Sequence, residues 1–228
     1  MDGGENNKTI WIIANWKSNK TISEALDWIS KVGPKVPQSD ALNVVVCPTF
    51  SCLSEVAKEI KVNNFNMAVG AQDLSAYGVG AYTGEEAAEL LGQMVNLAIL
   101  GHSERRENFF ESDEVVSKKT SEALNNQIIP LVCVQNLETL VPEGCKLVAY
   151  EPVFAIGSGN PDTPENANNV AGALKEKVGP DLEVLYGGSV NADNAKSFIE
   201  KVNISGFLIG KASLDPQEFI KIIEVCER

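Results

Sequence analysis

The chain has 228 residues, with 31 acidic against 19 basic side chains and a formal net charge of −12. Hydrophobic residues make up 44% and charged residues 22%, which is typical of globular proteins and argues against a wholly disordered chain. The negative charge disfavours nucleic acids and anionic membrane surfaces as partners. No run reaches the ~18 apolar residues that would predict a transmembrane helix.

The N-terminal segment lacks the basic and apolar regions of a signal peptide, so we expect a cytoplasmic protein. The five cysteines are scattered, without a CxxC pair, which favours buried cytosolic thiols over a disulfide framework or a metal site. A single histidine also argues against a His-rich metal site. We therefore expect no metal site.

Short β-branched runs recur along the chain, and each leads through polar or glycine-containing residues into a helical pattern. The predicted strands are Ile10–Ala14, Asn43–Cys47, Asn66–Ala71, Leu97–Gly101, Ile129–Val134, Lys146–Tyr150, Glu183–Tyr186 and Gly206–Ile209. The predicted amphipathic helices are Thr21–Lys31, Ser103–Phe109, Ser112–Asn125, Pro164–Lys177, Asn191–Lys201 and Pro216–Cys226. Continuous apolar strands such as Asn43–Cys47 are typical of parallel sheets covered on both faces.

Eight strands alternating with helices predict a parallel α/β sheet, and eight is the number that closes a (β/α) barrel. No linker divides the chain, so we predict one domain over residues 1–228. The alternation of strands and helices also fits an open doubly wound sheet, but the glycine signature of dinucleotide binding is absent.

In a closed barrel, the chemistry lies at the carboxyl ends of the strands. Lys17, His102 and Glu151 follow the first, fourth and sixth predicted strands, and glycine-rich turns follow the sixth, seventh and eighth. Backbone N–H groups of such turns can point at phosphate oxygens, so three of them on one rim predict a phosphate site. Lys17 would supply local positive charge to an anionic ligand; the alternative is a solvated loop lysine.

His102 and Glu151 form a predicted acid–base pair. A helix start at His102 favours a neutral imidazole, which can donate to a developing oxyanion. A carboxylate held at a strand end can act as a general base once it is desolvated. The alternatives are a structural histidine and a loop ion pair. Together the two residues predict proton abstraction next to a carbonyl. The segment Phe154–Gly159 is predicted to form a lid that closes over the bound phosphate and excludes water; the alternative is a plain surface loop.

The sequence strings at these positions resemble the triosephosphate isomerase family, in order along the whole chain. They are Ala14–Lys17, Gly70–Asp73, Tyr82–Glu85, Leu100–Arg106, Ala149–Val153, Ala155–Gly159 and Tyr186–Val190. The resemblance implies a single TIM barrel and an aldose–ketose isomerase of glycolysis and gluconeogenesis. Such an enzyme interconverts dihydroxyacetone phosphate and D-glyceraldehyde 3-phosphate through an enediol(ate), with a glutamate base, a neutral histidine and no cofactor or metal.

The resemblance also implies the roles of individual residues. Glu151 would move the proton, His102 would polarise the carbonyl oxygen, and Lys17 would stabilise the developing negative charge. The residues implied in substrate binding are Asn15, Lys17, Gly157, Ser189, Gly210 and Lys211, the last through its amide. Ser103 would hold Glu151 in the open state and Glu104 would brace the site.

Three substitutions at two places depart from the family pattern. The predicted lid hinge has Phe154 where the family usually has tryptophan, and Asn136 replaces a glutamate that can accept a hydrogen bond from that indole. Phenylalanine has no N–H donor, so the two changes belong together. They predict altered lid opening with unchanged chemistry. Lys211 stands where a second glycine is usual. Its side chain then either points away or adds a charge-assisted contact, and a positive φ there would be strained.

The third departure is the short connection between the fifth and sixth strands, where only Val134–Tyr150 separates Cys133 from Glu151. The fifth helix is therefore predicted to be reduced or missing. This resembles the short archaeal members of the family, which are often tetramers where the usual form is a dimer. Thr83 matches a residue that, in the family, enters the neighbouring subunit's site beside Lys17. The alternative interpretation is that Thr83 caps the N-terminus of a helix that carries Glu85 and Glu86. We expect a homodimer, with a homotetramer as the alternative because the missing helix uncovers barrel surface.

Two other functions stay open on the sequence alone. An aldolase or lyase barrel needs a Schiff-base lysine on a late strand or a metal site, and neither is evident. A catalytically silent barrel could serve as an interaction scaffold, but the intact residues Asn15, Lys17, His102 and Glu151 argue against it.

Overall fold

The computed structural model describes residues 9–152 and 161–227. Eight parallel strands pair in sequence order and close into a barrel, with β8 paired to β1. The strands are β1 (Ile10–Asn15), β2 (Leu42–Cys47), β3 (Ala68–Ala71), β4 (Leu97–Leu100), β5 (Ile129–Val134), β6 (Leu147–Tyr150), β7 (Glu183–Tyr186) and β8 (Ile204–Ile209). The predicted eight-stranded barrel is confirmed, and the open doubly wound sheet is wrong.

The described helices surround the barrel. They are α1 (Ile22–Val32), α2 (Phe50–Val62), α3 (Ala88–Leu91), α4 (Ser103–Phe109), α5 (Asp113–Asn125), α6 (Pro164–Val178), α7 (Ala192–Ile199) and α8 (Pro216–Cys226). The prediction missed α2 and α3. The Thr49 side chain does not cap α2, and α3 is a single turn, so both lack the start signals that mark the other helices. None of the described helices is long and apolar enough to cross a bilayer.

Alternate residues along each strand enter two separate apolar layers. On β1, Ile13 points into a cluster inside the barrel, whereas Ile12 packs in the larger cluster between the barrel and the helices. Both faces of the strands are therefore buried, which explains their continuous apolar runs. All five cysteines are free and buried, as predicted. This double packing fixes the strand ends on which the site is built.

The connection between β5 and β6 contains no helix across residues 135–146, which confirms the predicted loss of the fifth helix. A polar turn replaces it. The Asn136 Oδ1 atom accepts the backbone N–H of Glu138 and of Thr139, both at 3.0 Å, and the Thr139 hydroxyl at 3.1 Å. Asn136 therefore closes the turn of its own loop.

Candidate active site

A cavity of about 620 Å³ opens at the carboxyl ends of the strands. Residues that follow β1, β4, β6, β7 and β8 line it. The predicted site residues on this lining are Asn15, Lys17, His102, Glu151, Ser189, Gly210 and Lys211. Gly157 and the predicted lid, with Phe154, lie outside the described residues. One rim thus brings together the predicted base, electrophile, lysine and two of the glycine-rich turns.

Glu151 directly follows β6 and is 1% exposed. Its backbone N–H donates to the Val134 carbonyl at 2.8 Å, which continues the pairing of β6 with β5. The two carboxylate oxygens have different partners: Oε1 lies 2.9 Å from His102 Nε2, and Oε2 accepts the Ser103 backbone N–H at 3.0 Å. The carboxylate is therefore fixed against the beginning of α4.

His102 caps the N-terminus of α4, where its Nδ1 atom accepts the Glu104 backbone N–H at 3.2 Å. A ring nitrogen that accepts a backbone N–H carries no proton of its own, so the proton of the neutral ring resides on Nε2. That Nε2–H group donates to Glu151. The predicted neutral imidazole fits this arrangement, because the helix N-terminus disfavours an imidazolium.

Several opposing influences act on the Glu151 carboxylate. Burial is the largest and raises its pKa, but the contacts with His102, the Ser103 N–H and the charge of Lys17 lower it. The lowering influences prevail, so the pKa lies below the ordinary value of 4.5. Glu151 is therefore ionised at neutral pH, which is the form a general base requires.

Cys133 is a neighbour of Glu151 that the sequence analysis counted only as a core thiol. It is fully buried on β5, near enough to the Glu151 carboxylate to feel its charge. Burial first, and then the Glu151 charge, raise the pKa of this thiol well above its ordinary value, so it stays protonated. The alternation of β5, with Cys133 opposite Ala149 in the barrel interior, was the signal that could have revealed the contact.

Lys17 projects from the turn after β1 and has a φ of 53°, a left-handed conformation that is uncommon outside glycine. Its backbone N–H donates to Asn15 Oδ1 at 3.1 Å, and its carbonyl accepts Gln72 Nε2–H at 2.9 Å. Its ammonium forms an ion pair with Glu104. These contacts hold the strained turn and set the ammonium at the cavity. Gln72 was quoted only as part of a motif, and its bonding role was missed.

Ser103 and Glu104 both contact residues of the site, though in different ways. Ser103 reaches Glu151 through its backbone N–H, whereas its buried hydroxyl has no hydrogen-bond partner among the described residues. Glu104 reaches Lys17 through its carboxylate and His102 through its backbone N–H. The start of α4 thus binds the base, the electrophile and the lysine together.

A buried ion network that the sequence analysis did not foresee anchors α4 and α5. Lys119 Nζ lies 2.7 Å from both Asp73 carboxylate oxygens and 2.5 Å from Glu111 Oε1. Arg105, on α4, contacts Asp73 at 2.8 Å and Glu111 at 3.1 Å. The helix that carries the cap at His102 is therefore tied to the segment after β3.

The glycine turns after β7 and β8 differ in how closely their surroundings pack. A Cβ at Gly188 would lie 2.2 Å from the Tyr186 hydroxyl oxygen, which accepts the Asp162 N–H at 2.7 Å. A Cβ at Gly210 would lie 3.4 Å from Cε of Lys17. Packing against Tyr186 therefore requires glycine at position 188, whereas a Cβ at Gly210 would make only an ordinary contact with the end of the Lys17 side chain.

Lys211 begins a 3₁₀ turn, Lys211–Leu214, after Gly210. The non-glycine residues with positive φ in the described ranges are Lys17, Lys20, Asn64, Phe110 and Gln127. Lys211 is not one of them, so the strain considered for this position does not arise.

Thr83 lies apart from this cavity, in an exposed turn between β3 and α3. The following helix begins at Ala88 with Ala87 at its N-cap, so the N-cap alternative for Thr83 is wrong. Residues 77–86 are all exposed, and the rings of Tyr77 and Tyr82 stack at 4.4 Å.

The sequence model of the triosephosphate isomerase family matches residues 10–146 and 143–226. The triosephosphate isomerase of Clostridium botulinum (strain ATCC 19397 / Type A) is 37% identical over 248 residues, covering 95% of this chain and 99% of that relative. The one from Endomicrobium trichonymphae is 36% identical over 241 residues, covering 92% and 96%. The crystal structure of triosephosphate isomerase from Bartonella henselae has a TM-score of 0.83 at 27% identity and covers 96% of this chain and 99% of its own. The chain belongs to the triosephosphate isomerase family.

Proposed function

We propose that the protein interconverts dihydroxyacetone phosphate and D-glyceraldehyde 3-phosphate in glycolysis and gluconeogenesis. The observation that carries this proposal is the ionised Glu151 carboxylate placed 2.9 Å from Nε2 of a neutral His102, in a cavity that Lys17 also lines. Family membership supports it, since the relatives are named triosephosphate isomerase. Nothing in the fold or the comparisons favours the silent scaffold.

The proton transfer follows from these three side chains. Glu151 removes a proton from the carbon next to the carbonyl, and the electron pair of that C–H bond forms the C=C bond of the enediolate. The Nε2–H of His102 donates to the oxygen that becomes negative, and the Lys17 ammonium stabilises its charge. The protonated Glu151 then returns the proton to the neighbouring carbon, which completes the isomerisation.

Substrate binding would itself activate the base. In this structure the Nε2–H of His102 donates to Glu151. A bound carbonyl oxygen would take over that donor, so Glu151 would lose one of the contacts that lower its pKa. The displaced carboxylate is more basic and still buried, which favours proton abstraction.

The phosphate end is assigned to the glycine-rich rim. We place the phosphate against the hydroxyl of Ser189 and the amides of Gly210 and Lys211, with Gly157 as the contribution from the lid. Asn15 would contact the substrate between the two ends, where its side chain already bonds the Lys17 turn.

The assembly proposed here is a homodimer in which the exposed turn with Thr83 enters the neighbouring subunit's site. A homotetramer is the alternative, since Leu137 and Leu140 in the helix-free β5–β6 connection are 37% and 48% exposed. Sedimentation equilibrium of the wild type and of Thr83→Arg would test the dimer. A Thr83→Arg variant that stays as associated as the wild type would contradict it.

The function is tested by assaying both directions of triose phosphate conversion for the wild type and for Glu151→Asp. Aspartate is one methylene shorter and moves the carboxylate away from the carbon, so we expect kcat to fall by about 10²-fold or more. Glu107→Asp, the same change at an exposed position of α4, is the matched control and should keep wild-type turnover. An inactive wild type, or equal turnover in Glu151→Asp, would refute the proposal.

A further inference from the structure

Within the described part of the chain, Lys211 differs from the other lysine of the cavity in having no carboxylate partner. Among the described lining residues, the ammonium groups are those of Lys17 and Lys211. Lys17 is paired with Glu104. Lys211 is exposed and forms no ion pair with any described residue. Its charge is therefore available to a ligand.

The carboxylates nearest in sequence to Lys211 are already engaged elsewhere. Asp215 caps α8, where its Oδ1 accepts the Gln217 N–H at 2.8 Å. Glu218 Oε1 accepts the Ala192 N–H at 2.8 Å, at the beginning of α7. Both side chains line the cavity. They are held by helix N-termini, which favour a carboxylate, and so they do not neutralise Lys211.

The electrostatic balance of the described lining makes this charge important. Glu151, Asp215 and Glu218 contribute three negative charges, against the two positive charges of Lys17 and Lys211. Without Lys211, a phosphate dianion would meet three carboxylates and one ammonium, in a chain whose net charge is already −12. Lys17 and the backbone amides would then have to offset that field.

The backbone at Lys211 is anchored by hydrogen bonds of the following turn, while its side chain is exposed. The N–H and the hydroxyl of Ser213 both donate to the Gly210 carbonyl, at 2.9 and 2.7 Å, and Trp28 Nε1–H donates to the Ser213 carbonyl at 3.0 Å. A Cβ at Gly210 would lie 3.8 Å from Nζ of Lys17. The two lysines thus flank one turn, and the flexible four-carbon stem of Lys211 can bring its ammonium toward a phosphate there.

We propose that the side-chain ammonium of Lys211 makes a charge-assisted contact with the phosphate group of the substrate and determines the affinity of this site for dianions. This inference rests on the proposed function, and it adds a second contact to the amide already assigned to the same residue. The phosphate group is chemically unchanged by the isomerisation, so the contact is equal in the ground and transition states. It should therefore lower KM without raising kcat.

The test compares Lys211→Met, which keeps the apolar stem, Lys211→Gly, which restores the residue usual in the family, and Lys211→Arg, which keeps the charge. Lys221→Met, at an exposed position of α8 outside the cavity, makes the same change of net charge and is the matched control. Calorimetric titration gives the Kd of inorganic phosphate, and steady-state assays give KM and kcat. Each is measured at low and at high ionic strength.

At low ionic strength we expect Lys211→Met and Lys211→Gly to raise both the phosphate Kd and KM by about three- to tenfold, with kcat unchanged. The difference from the wild type should shrink as salt is added, because salt screens an exposed charge. Lys211→Arg and Lys221→Met should bind phosphate as the wild type does.

The proposal is overturned if Lys211→Met binds phosphate as tightly as Lys221→Met at low ionic strength. It is also overturned if Lys211→Gly alone is weakened, because the effect would then come from the backbone. A wild type without isomerase activity, whose phosphate Kd still depends on the charge at position 211, would refute the proposed function and leave this contact standing. An active wild type whose phosphate Kd does not depend on the charge at position 211 would refute this contact and leave the proposed function standing.

Discussion

The two sides of the cavity are built in different ways. On the acid–base side, Glu151 and His102 are 1% and 6% exposed, and each polar atom of their side chains has a partner within the protein. On the phosphate side, Ser189 and Gly210 are half-buried, Lys211 is exposed, and two glycine turns, of which the one at Gly188 is close-packed, form the surface. Proton transfer thus depends on side chains that are held in place, whereas phosphate binding depends on backbone shape and charge. Damage to the first should reduce kcat, and damage to the second should reduce affinity.

The largest effect should follow from His102→Ala on the acid–base side. The change removes the Nε2–H donor to the developing oxyanion, so we expect kcat to fall by about 10²–10³-fold with a much smaller change in KM. Steady-state kinetics in both directions would measure it. Asn108→Ala, an exposed position of the same helix, should keep wild-type kcat. A rise in KM with unchanged kcat would contradict the assignment of proton transfer to the acid–base side.

The next largest effect is expected from Gly188→Ala on the phosphate side, and it concerns stability. The new Cβ would lie 2.2 Å from the Tyr186 hydroxyl, so the buried ring must shift and the free energy of unfolding should fall by about 1–3 kcal/mol. Urea unfolding would measure this loss. At Gly78 the nearest atom to a new Cβ is 4.0 Å away, so Gly78→Ala should leave stability nearly unchanged. Equal stability of the two variants would contradict a turn shaped by packing.

A smaller change is expected from Ser189→Ala. This substitution removes the hydroxyl assigned to the phosphate while leaving the glycine turn intact, so we expect KM to rise by about three- to tenfold with kcat nearly unchanged. Ser197→Ala, on the exposed face of α7, is the control. A fall in kcat without a change in KM would mean that Ser189 acts in proton transfer and not in phosphate binding.

The smallest effect concerns the protonation of Glu151. Its folded-state pKa lies below 4.5, so the carboxylate should remain ionised through the neutral range. The stability that this depressed pKa contributes is present above the unfolded-state pKa and is lost as the pH falls through the folded-state pKa. A ¹³C NMR titration of the Glu151 carboxyl, assigned with Glu151→Gln, would measure it. A midpoint above 4.5 would mean that burial outweighs the contacts with His102, Ser103 and Lys17.

The sequence predicted most of the fold because the relevant signals are local. The apolar runs that alternate with helical patterns predicted all eight strands to within two residues at either end. The short distance from Cys133 to Glu151 predicted the missing helix. Helix α2 was missed because its start lacks a capping side chain, and burial of Cys52, Leu53, Val56 and Ile60 against the barrel stabilises it instead.

The sequence by itself determined the barrel and the residues at the strand ends, since the period of the apolar pattern locates the strands, and the strings at those ends determined the family. Only the tertiary structure decided which atoms meet. The proximity of Cys133 to Glu151, the bond of Gln72 to the Lys17 turn and the network around Lys119 join residues far apart in the chain. The unstrained backbone of Lys211 likewise depends on how the turn after β8 packs. Barrel closure creates these contacts, and no local pattern encodes the distance between two strand ends.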